Sequence, residues 1–482
     1  MLLQQTSFQT GRLGLAIAVI TVVDPLAAIG VGAGLLHQPV HVGSVTATGT
    51  AVLLVLGGVA LLCRRFRRPY PTGTDGTASL RSSSRGLRVL IGADTYPPHV
   101  NGAAYFSHRL AHGLAARGHE VHVCCPSADG DATVERDGPV YVHRVRSMRT
   151  PFHHSFQVGS PLYVRTDVGR VLAEVRPDVV HVQNHFLVGR ALSSLAGRRD
   201  LPLVATNHFM PENLLPYLPL PGPLARLVTR VAWLDLARVF GPAHAVTTPT
   251  PTAARLVRAS GIGMEVEAVS CGIDLSRFHE SDTSGTATDT KRLLFVGRLD
   301  VEKHIDDIID ALPTVRRSVD AELLVAGIGN LQEPLERRAR ERGVAEHVTF
   351  LGFVPDEDLP ALYSSADVFC MPGTAELQSL VTLEAMATGR PVVAADAMAL
   401  PHLCQDGRNG YLHTPRDVAE LAEHVTTILT DDALRARMGK ESLAIAAEHD
   451  ESASLRRFEE IYARVTGFEL PAQRSVREPV AA

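Results

Sequence analysis

Residues 366–389 read ADVFCMPGTAELQSLVTLEAMATG, and the order of residue types lays out a strand, a loop and a helix. ADVFCM is an apolar run of strand length that breaks into Pro372, Gly373 and Thr374. From Ser379 the apolar residues recur at helical spacing, which predicts a helix over 379–388, and Gly389 stands where such a helix ends. Glu376 falls in the loop and Glu384 inside the helix. The amides of Leu380 and Val381 lie in the first helical turn, where free N–H groups and the macrodipole favour an anion such as a diphosphate. Glu384 then suits neutral vicinal hydroxyls such as those of a ribose, and Glu376 suits a sugar ring. The bland alternative is a capping Glu376 and a solvated Glu384.

The same strand-then-loop unit recurs on both sides. RLLFVGRL (292–299), ELLVAGIG (322–329), HVTFLGFV (347–354) and RPVVAADA (390–397) read as buried parallel strands, with a helix at 331–343. Upstream, LRVLIGAD (87–94), HEVHVCCP (119–126), DVVHVQNH (178–185), PLVATNH (202–208) and AVTTPT (245–250) repeat it, with a helix over 103–118. The polar Gly/Thr-rich segment 278–291 separates the two runs. These patterns predict two Rossmann-like domains, 87–277 and 292–450, facing each other across a cleft with ligands at the strand carboxyl ends. A helix at 451–466 is expected to cross back to the first domain, and 467–482 reads as a loose tail.

Charge divides the chain differently. The net charge is −5 over 482 residues, which argues against a general nucleic-acid binder. Residues 1–86 hold seven Arg, no Lys and two Asp, a net +5, so the remainder is −10. Within the basic block, 13–36 and 40–63 are two 24-residue apolar runs joined by His37, Gln38 and Pro39, with Arg64, Arg65, Arg67 and Arg68 directly after. A span needs about 20 apolar residues. The expectation is therefore a transmembrane helical hairpin over 1–68, anchoring the protein in the cell membrane by two spans with its catalytic domains cytoplasmic. A signal peptide fits less well, because a second apolar run follows the first. A Gly/Ser/Thr/Pro-rich linker, 69–86, joins this block to the α/β body.

The six Cys are scattered and form no CxxC pair, and no Cys/His cluster shows zinc spacing, so a reducing compartment is expected. Only Lys291, Lys303 and Lys440 stand against 44 Arg. A Lys kept under that bias suggests a need for a compact point charge. Lys303 follows Arg298 at the end of the strand 292–299, placing two cations by the cleft, where they suit a diphosphate that gains charge as a bond breaks. The alternative is a surface ion pair with Glu302 or Asp306.

At this point the motifs resemble the retaining family 4 glycosyltransferases of the GT-B fold. The E-x7-E pair is Glu376 and Glu384, the GR-x4-K element is Arg298 and Lys303, and the G-x-G loop is Gly327 and Gly329. CGIDLSRF (271–278) resembles an NGID-like element with Cys271 in place of the commoner Asn. These elements occur in family order over about 87–450. The resemblance implies transfer of a hexose from a nucleotide diphosphate sugar, UDP- or GDP-linked, with retention at the anomeric carbon. It implies catalytic roles for His208, Glu376, Arg298 and Lys303. It implies donor contacts from Gly102, Gly327, Phe353, Val354, Leu380, Val381 and Glu384. No DxD motif is suitably placed, so no obligatory metal is expected. His181 and His185 read as structural.

The acceptor follows less directly. DTYPPHVNG (94–102) resembles the loop of bacterial diacylglycerol glucosyltransferases, sulfoquinovosyl lipid synthases and lipid mannosyltransferases. Segment 214–240 mixes Leu, Trp and Phe with Arg226, Arg230 and Arg238, which suits anionic lipid as well as it suits a packed helix. A membrane glycerolipid is the expected acceptor. A soluble small-molecule or polysaccharide acceptor and a sugar-nucleotide epimerase remain alternatives, and the oligomeric state is open.

Overall fold

The computed structural model describes residues 86–99, 101–150, 153–211, 221–279 and 290–469. The first sheet begins with β1 (Arg88–Gly92), β2 (Glu120–Pro126), β3 (Thr133–Asp137) and β4 (Val140–Val145). A separate antiparallel hairpin, β5 (Ser147–Thr150) and β6 (His153–Gly159), follows. The sheet resumes with β7 (Val179–Val182), β8 (Leu203–Thr206), β9 (Ala245–Thr248) and β10 (Val266–Ala268). Its order is β10-β9-β8-β7-β1-β2-β4-β3, parallel throughout except for the edge strand β3. Val89 sits at the centre, in register with Val121 on one side and Val179 on the other. The helices are α1 (Gly102–Ala116), α2 (Val164–Val175), α3 (Leu187–Ala196), α4 (Gly222–Phe240) and α5 (Pro251–Ala259).

The second sheet holds β11 (Lys291–Val296), β12 (Ala321–Ala326), β13 (Val348–Gly352), β14 (Val368–Met371), β15 (Val392–Ala395) and β16 (Gly410–His413). It is all parallel, in the order β13-β12-β11-β14-β15-β16. Its helices are α6 (Ile305–Val315), α7 (Gln332–Glu341), α8 (Leu359–Ser364), α9 (Leu380–Ala387), α10 (Leu400–Leu403), α11 (Val418–Thr430) and α12 (Asp432–Ala447). β14 is VFCM and β15 is VVAA, every residue buried. Such unbroken apolar runs are what a parallel strand covered on both faces requires.

A last helix, α13 (Glu451–Thr466), returns to the first sheet. Its Leu455, Phe458, Ile461 and Tyr462 join Phe106, Leu110 and Leu114 of α1 in one core. Each such side chain contributes about 1.5–3 kcal/mol on burial. The Tyr462 hydroxyl and His181 Nδ1 lie 2.6 Å apart and share a hydrogen bond, and the other ring nitrogen of His181 meets Thr206 Oγ1 at 2.6 Å. His181 is thus a buried structural group, as its sequence context suggests.

The expectation of a two-span membrane protein with cytoplasmic catalytic domains is corrected here. Among the described residues no helix is long and apolar enough to cross a membrane. α4 is the longest described helix at 19 residues, and it carries Arg226, Arg230, Asp235 and Arg238, which no lipid-facing span of that length tolerates. The runs 13–36 and 40–63 lie outside the described residues.

Candidate active site

The loop between β14 and α9 is held from both halves. On its own side, Thr374 N–H donates to the Glu302 carbonyl at 3.1 Å, and Thr374 Oγ1 lies 3.1 Å from His304 Nε2. From the other half, Thr250 Oγ1 donates to the Leu377 carbonyl at 2.9 Å. The Gln378 side chain accepts from Cys271 N–H at 2.7 Å and donates to Ser270 Oγ at 2.9 Å. Leu377 packs with Met210 and Ala253. Glu376 therefore sits on a loop whose backbone is fixed at several points.

Its carboxylate meets the Lys303 ammonium in a direct ion pair, although the residues are 73 apart in sequence. Lys303 ends a short 3₁₀ turn over Val301–Lys303, and the left-handed residue His304 then starts α6. The two side chains are only 17% and 11% exposed, so their charges are largely withdrawn from water. Arg298 lies differently. It is 56% exposed and pairs within its own turn, with Asp300 at 2.6 Å and Glu302 at 3.2 Å.

α9 begins at Leu380 after Ser379, which is extended and makes no side-chain cap bond. The first-turn amides of Leu380 and Val381 therefore have no capping side chain, which leaves a site for an anion. α1 approaches this end. A Cβ built on Gly102 would lie 4.0 Å from Leu380 Cδ1, so the two helix starts adjoin. Asn101 caps α1 by accepting from Ala104 N–H at 2.9 Å.

Glu384 is not the solvated carboxylate of the bland alternative. Its Oε2 accepts from the Tyr363 hydroxyl at 2.7 Å. Burial pushes its carboxyl up to about 7, against the opposing pull of that hydrogen bond and of Arg109. Tyr105 of α1 reaches across to Asp356 Oδ1 at 2.7 Å, and Arg109 Nη2 donates to the Gly272 carbonyl at 2.9 Å. Tyr105 thus ties α1 to the second half, while Arg109 ties it to residues 271–272 of its own half. Tyr105, Arg109 and Gln378 are cleft residues that sequence reading misses, because their partners are more than 100 residues away.

The G-x-G loop is built by close approach. Gly327 has φ +136°, and a Cβ there would sit 1.8 Å from the Gly297 carbonyl oxygen. A Cβ on Gly329 would lie 2.5 Å from the Leu299 carbonyl oxygen. This loop is therefore pressed onto the turn carrying Arg298. Gly327 N–H also donates to the Gly352 carbonyl at 2.7 Å, which puts Phe353 and Val354 beside it. Phe353 is 56% exposed, while Val354 packs against the core.

His208 follows β8. Its Nε2 lies 2.9 Å from Gln183 Oε1, and its ring is 4.8 Å from that of Phe106 on α1. Burial lowers it to about 4, so the imidazole is neutral near pH 7. Around it, Gln183 Nε2, Asn207 Nδ2 and His185 Nδ1 are buried with no hydrogen-bond partner among the described residues, a set of polar atoms at the strand ends suited to ligand hydroxyls. His185 packs among Phe186, Phe209 and Phe240.

Comparison with known proteins identifies the family. A family model described as Glycosyltransferase Family 4 matches residues 100–277, and one described as Glycosyl transferases group 1 matches residues 276–443. A glycogen synthase of Mycobacterium tuberculosis is 31% identical over 382 residues, covering 74% of this chain and 90% of that protein. A phosphatidyl-myo-inositol mannosyltransferase of Mycobacterium leprae is 31% identical over 340 residues, covering 68% and 84%. Among solved structures, sucrose-phosphate synthase from Thermosynechococcus elongatus superposes with a TM-score of 0.68 at 20% identity, covering 78% of this chain and 99% of that one. Anabaena HepE in complex with UDP and glucose gives 0.62 at 20% identity, covering 78% and 99%. The chain belongs to the family 4 glycosyltransferases, enzymes of the GT-B fold that transfer a sugar from a nucleotide sugar.

Proposed function

We propose that this protein transfers a hexose from a nucleotide diphosphate hexose to a membrane glycerolipid, with retention at the anomeric carbon. The observation that carries the donor reading is the withdrawn Lys303–Glu376 pair beside the uncapped start of α9. A diphosphate at the Leu380 and Val381 amides brings an anion to Lys303 and frees Glu376 for the hydroxyls of the donor sugar. Glu384 then takes the ribose, Phe353 and Val354 flank the base, and Gly102 and Gly327 admit the diphosphate to close backbone contact. Arg298 turns from Asp300 to the diphosphate. His208, neutral, hydrogen-bonds a sugar hydroxyl. The bond from the anomeric carbon to the phosphate oxygen breaks while the acceptor oxygen attacks from the same face. The acceptor proton passes to the departing phosphate, and Lys303 and Arg298 stabilise the charge that develops there. Within this reading 87–277 is the acceptor domain and 292–450 the donor domain.

A lipid acceptor is supported by the relative named for phosphatidyl-myo-inositol and by α4. Leu227 and Leu234 are 41% and 52% exposed, and they share one exposed stripe with Arg226 and Arg230. Apolar and cationic side chains on one helix face suit an anionic lipid surface. A polysaccharide acceptor is the second reading, favoured by the glycogen synthase relative. The test offers UDP- and GDP-hexoses with diacylglycerol or phosphatidylinositol in vesicles, and in parallel with glycogen. Labelled glycolipid is expected, with yield lost on Arg226→Glu with Arg230→Glu. Label in glycogen alone overturns the lipid reading. Hydrolysis or isomerisation of the donor with no transfer overturns both.

A further inference from the structure

Also on α1, His108 and His112 stand one helical turn apart with ring centroids 4.2 Å from each other. β3 ends at Asp137, and the left-handed Gly138, φ +54°, turns the chain into β4. That turn carries the Asp137 carboxylate to the two rings. Its Oδ2 lies 3.2 Å from His108 Nε2 and 3.1 Å from His112 Nε2. The three side chains converge without being sealed off, being 36%, 30% and 37% exposed.

We propose that His108, His112 and Asp137 form a three-ligand site for a divalent transition-metal cation of the zinc type, completed by a water on the solvent side. Three observations support it. Tetrahedral zinc with bonds of about 2.0–2.1 Å sets its ligand atoms roughly 3.3 Å apart, and the two observed separations match that spacing. Although His112 Nε2 is close to Oδ2, it is buried and makes no well-directed hydrogen bond among the described residues, so the carboxylate oxygen alone does not satisfy it. The carboxylate also has a supporting partner, since the Tyr96 hydroxyl donates to Oδ2 at 3.2 Å, and such outer contacts orient metal ligands.

Two imidazoles and one carboxylate are a donor set for zinc, cobalt or nickel rather than for magnesium, which prefers oxygen ligands. The bound cation staples α1 to the β3–β4 hairpin and, through Tyr96, steadies residues 94–99, which follow β1. It takes no part in sugar transfer. Sequence spacing alone hides the site, because a histidine pair four apart on a helix acquires its carboxylate from a strand 25 residues later.

The experiment titrates full-length, chelator-stripped protein with Zn2+, reading stoichiometry by elemental analysis and affinity by calorimetry, with Mg2+ as the control. One equivalent of zinc per chain and a raised melting temperature are expected. The Co2+-substituted protein is expected to show a low-coordinate visible spectrum without thiolate charge transfer, which separates this site from the cysteines. Asp137→Asn and the double variant His108→Ala with His112→Ala are expected to lose that equivalent. Tyr96→Phe, which leaves every ligand in place, is expected to weaken binding about ten- to a hundredfold. No zinc uptake by the parent protein overturns the proposal. Uptake unchanged in the folded variants, or a thiolate band in the cobalt form, overturns it equally.

Discussion

Removing the Lys303 ammonium is the sharpest perturbation of the donor site. In the free protein it neutralises Glu376, and both side chains are mostly shielded from water. A unit charge about 4 Å from a phosphate oxygen, at an effective dielectric near 20, interacts by roughly 4 kcal/mol. Part of that is already present when the diphosphate binds, and the part that grows as the glycosidic bond breaks lowers the barrier. Lys303→Ala should therefore reduce kcat by about 100- to 1000-fold, the loss typical of one preorganised group that stabilises developing charge. Donor KM should rise less. Lys303→Arg should recover only a fraction, since a planar fork cannot take the place of a compact ammonium beside Glu376. The variant also leaves Glu376 without its cation. Given the partial exposure, the stability cost should fall between those of surface and buried pairs, roughly 1–3 kcal/mol. The assay measures labelled hexose transfer alongside nucleotide diphosphate release, with UDP and GDP affinity by calorimetry and the melting temperature as a control. A folded Lys303→Ala protein with kcat within threefold of the parent would refute the reasoning.

Three further outcomes follow from the same geometry. Glu384 is held up near 7 against an ordinary value of 4.5, so its contribution to stability is fully present below pH 4.5 and is lost as pH rises through 7. Glu384→Gln should therefore raise the melting temperature of the free protein at pH 8 and leave it nearly unchanged at pH 4.5. It should also weaken nucleotide binding, and equal shifts at both pH values would contradict the burial of that carboxyl. Gly327→Ala puts a Cβ 1.8 Å from the Gly297 carbonyl oxygen at a positive φ, so it should destabilise by more than about 2 kcal/mol in a urea melt. Wild-type stability in that variant would mean the two loops are not in contact. His208→Ala should lower kcat about 5- to 150-fold through one lost sugar hydrogen bond. Because burial holds His208 near 4, the parent's rate should show no inflection from it between pH 5.5 and 8, and one that disappears in the alanine variant would refute a neutral imidazole.

The linear chain determined a good deal on its own. Apolar runs such as VFCM and VVAA, bounded by Pro and Gly, read as strands buried on both faces, and their alternation with helical spacing points to parallel sheets with crossover helices. The predicted helices at 103–118, 331–343 and 379–388 differ from the observed ones by one or two residues at each end, because terminal turns depend on capping more than on composition. Glu376, Lys303 and the G-x-G loop were legible because each lies at a strand end, where the α/β architecture puts ligands. Long-range contact, by contrast, leaves no trace in local pattern. Nothing near Lys303 reveals that its counter-charge is Glu376 rather than Glu302 or Asp306, and nothing near Glu384 reveals the Tyr363 hydroxyl that accompanies its burial. Periodicity reports which face of an element is covered. Only the folded chain decides what covers it, and so which charges lose water, which carboxyl is pushed toward neutrality, and which histidines on α1 find an aspartate.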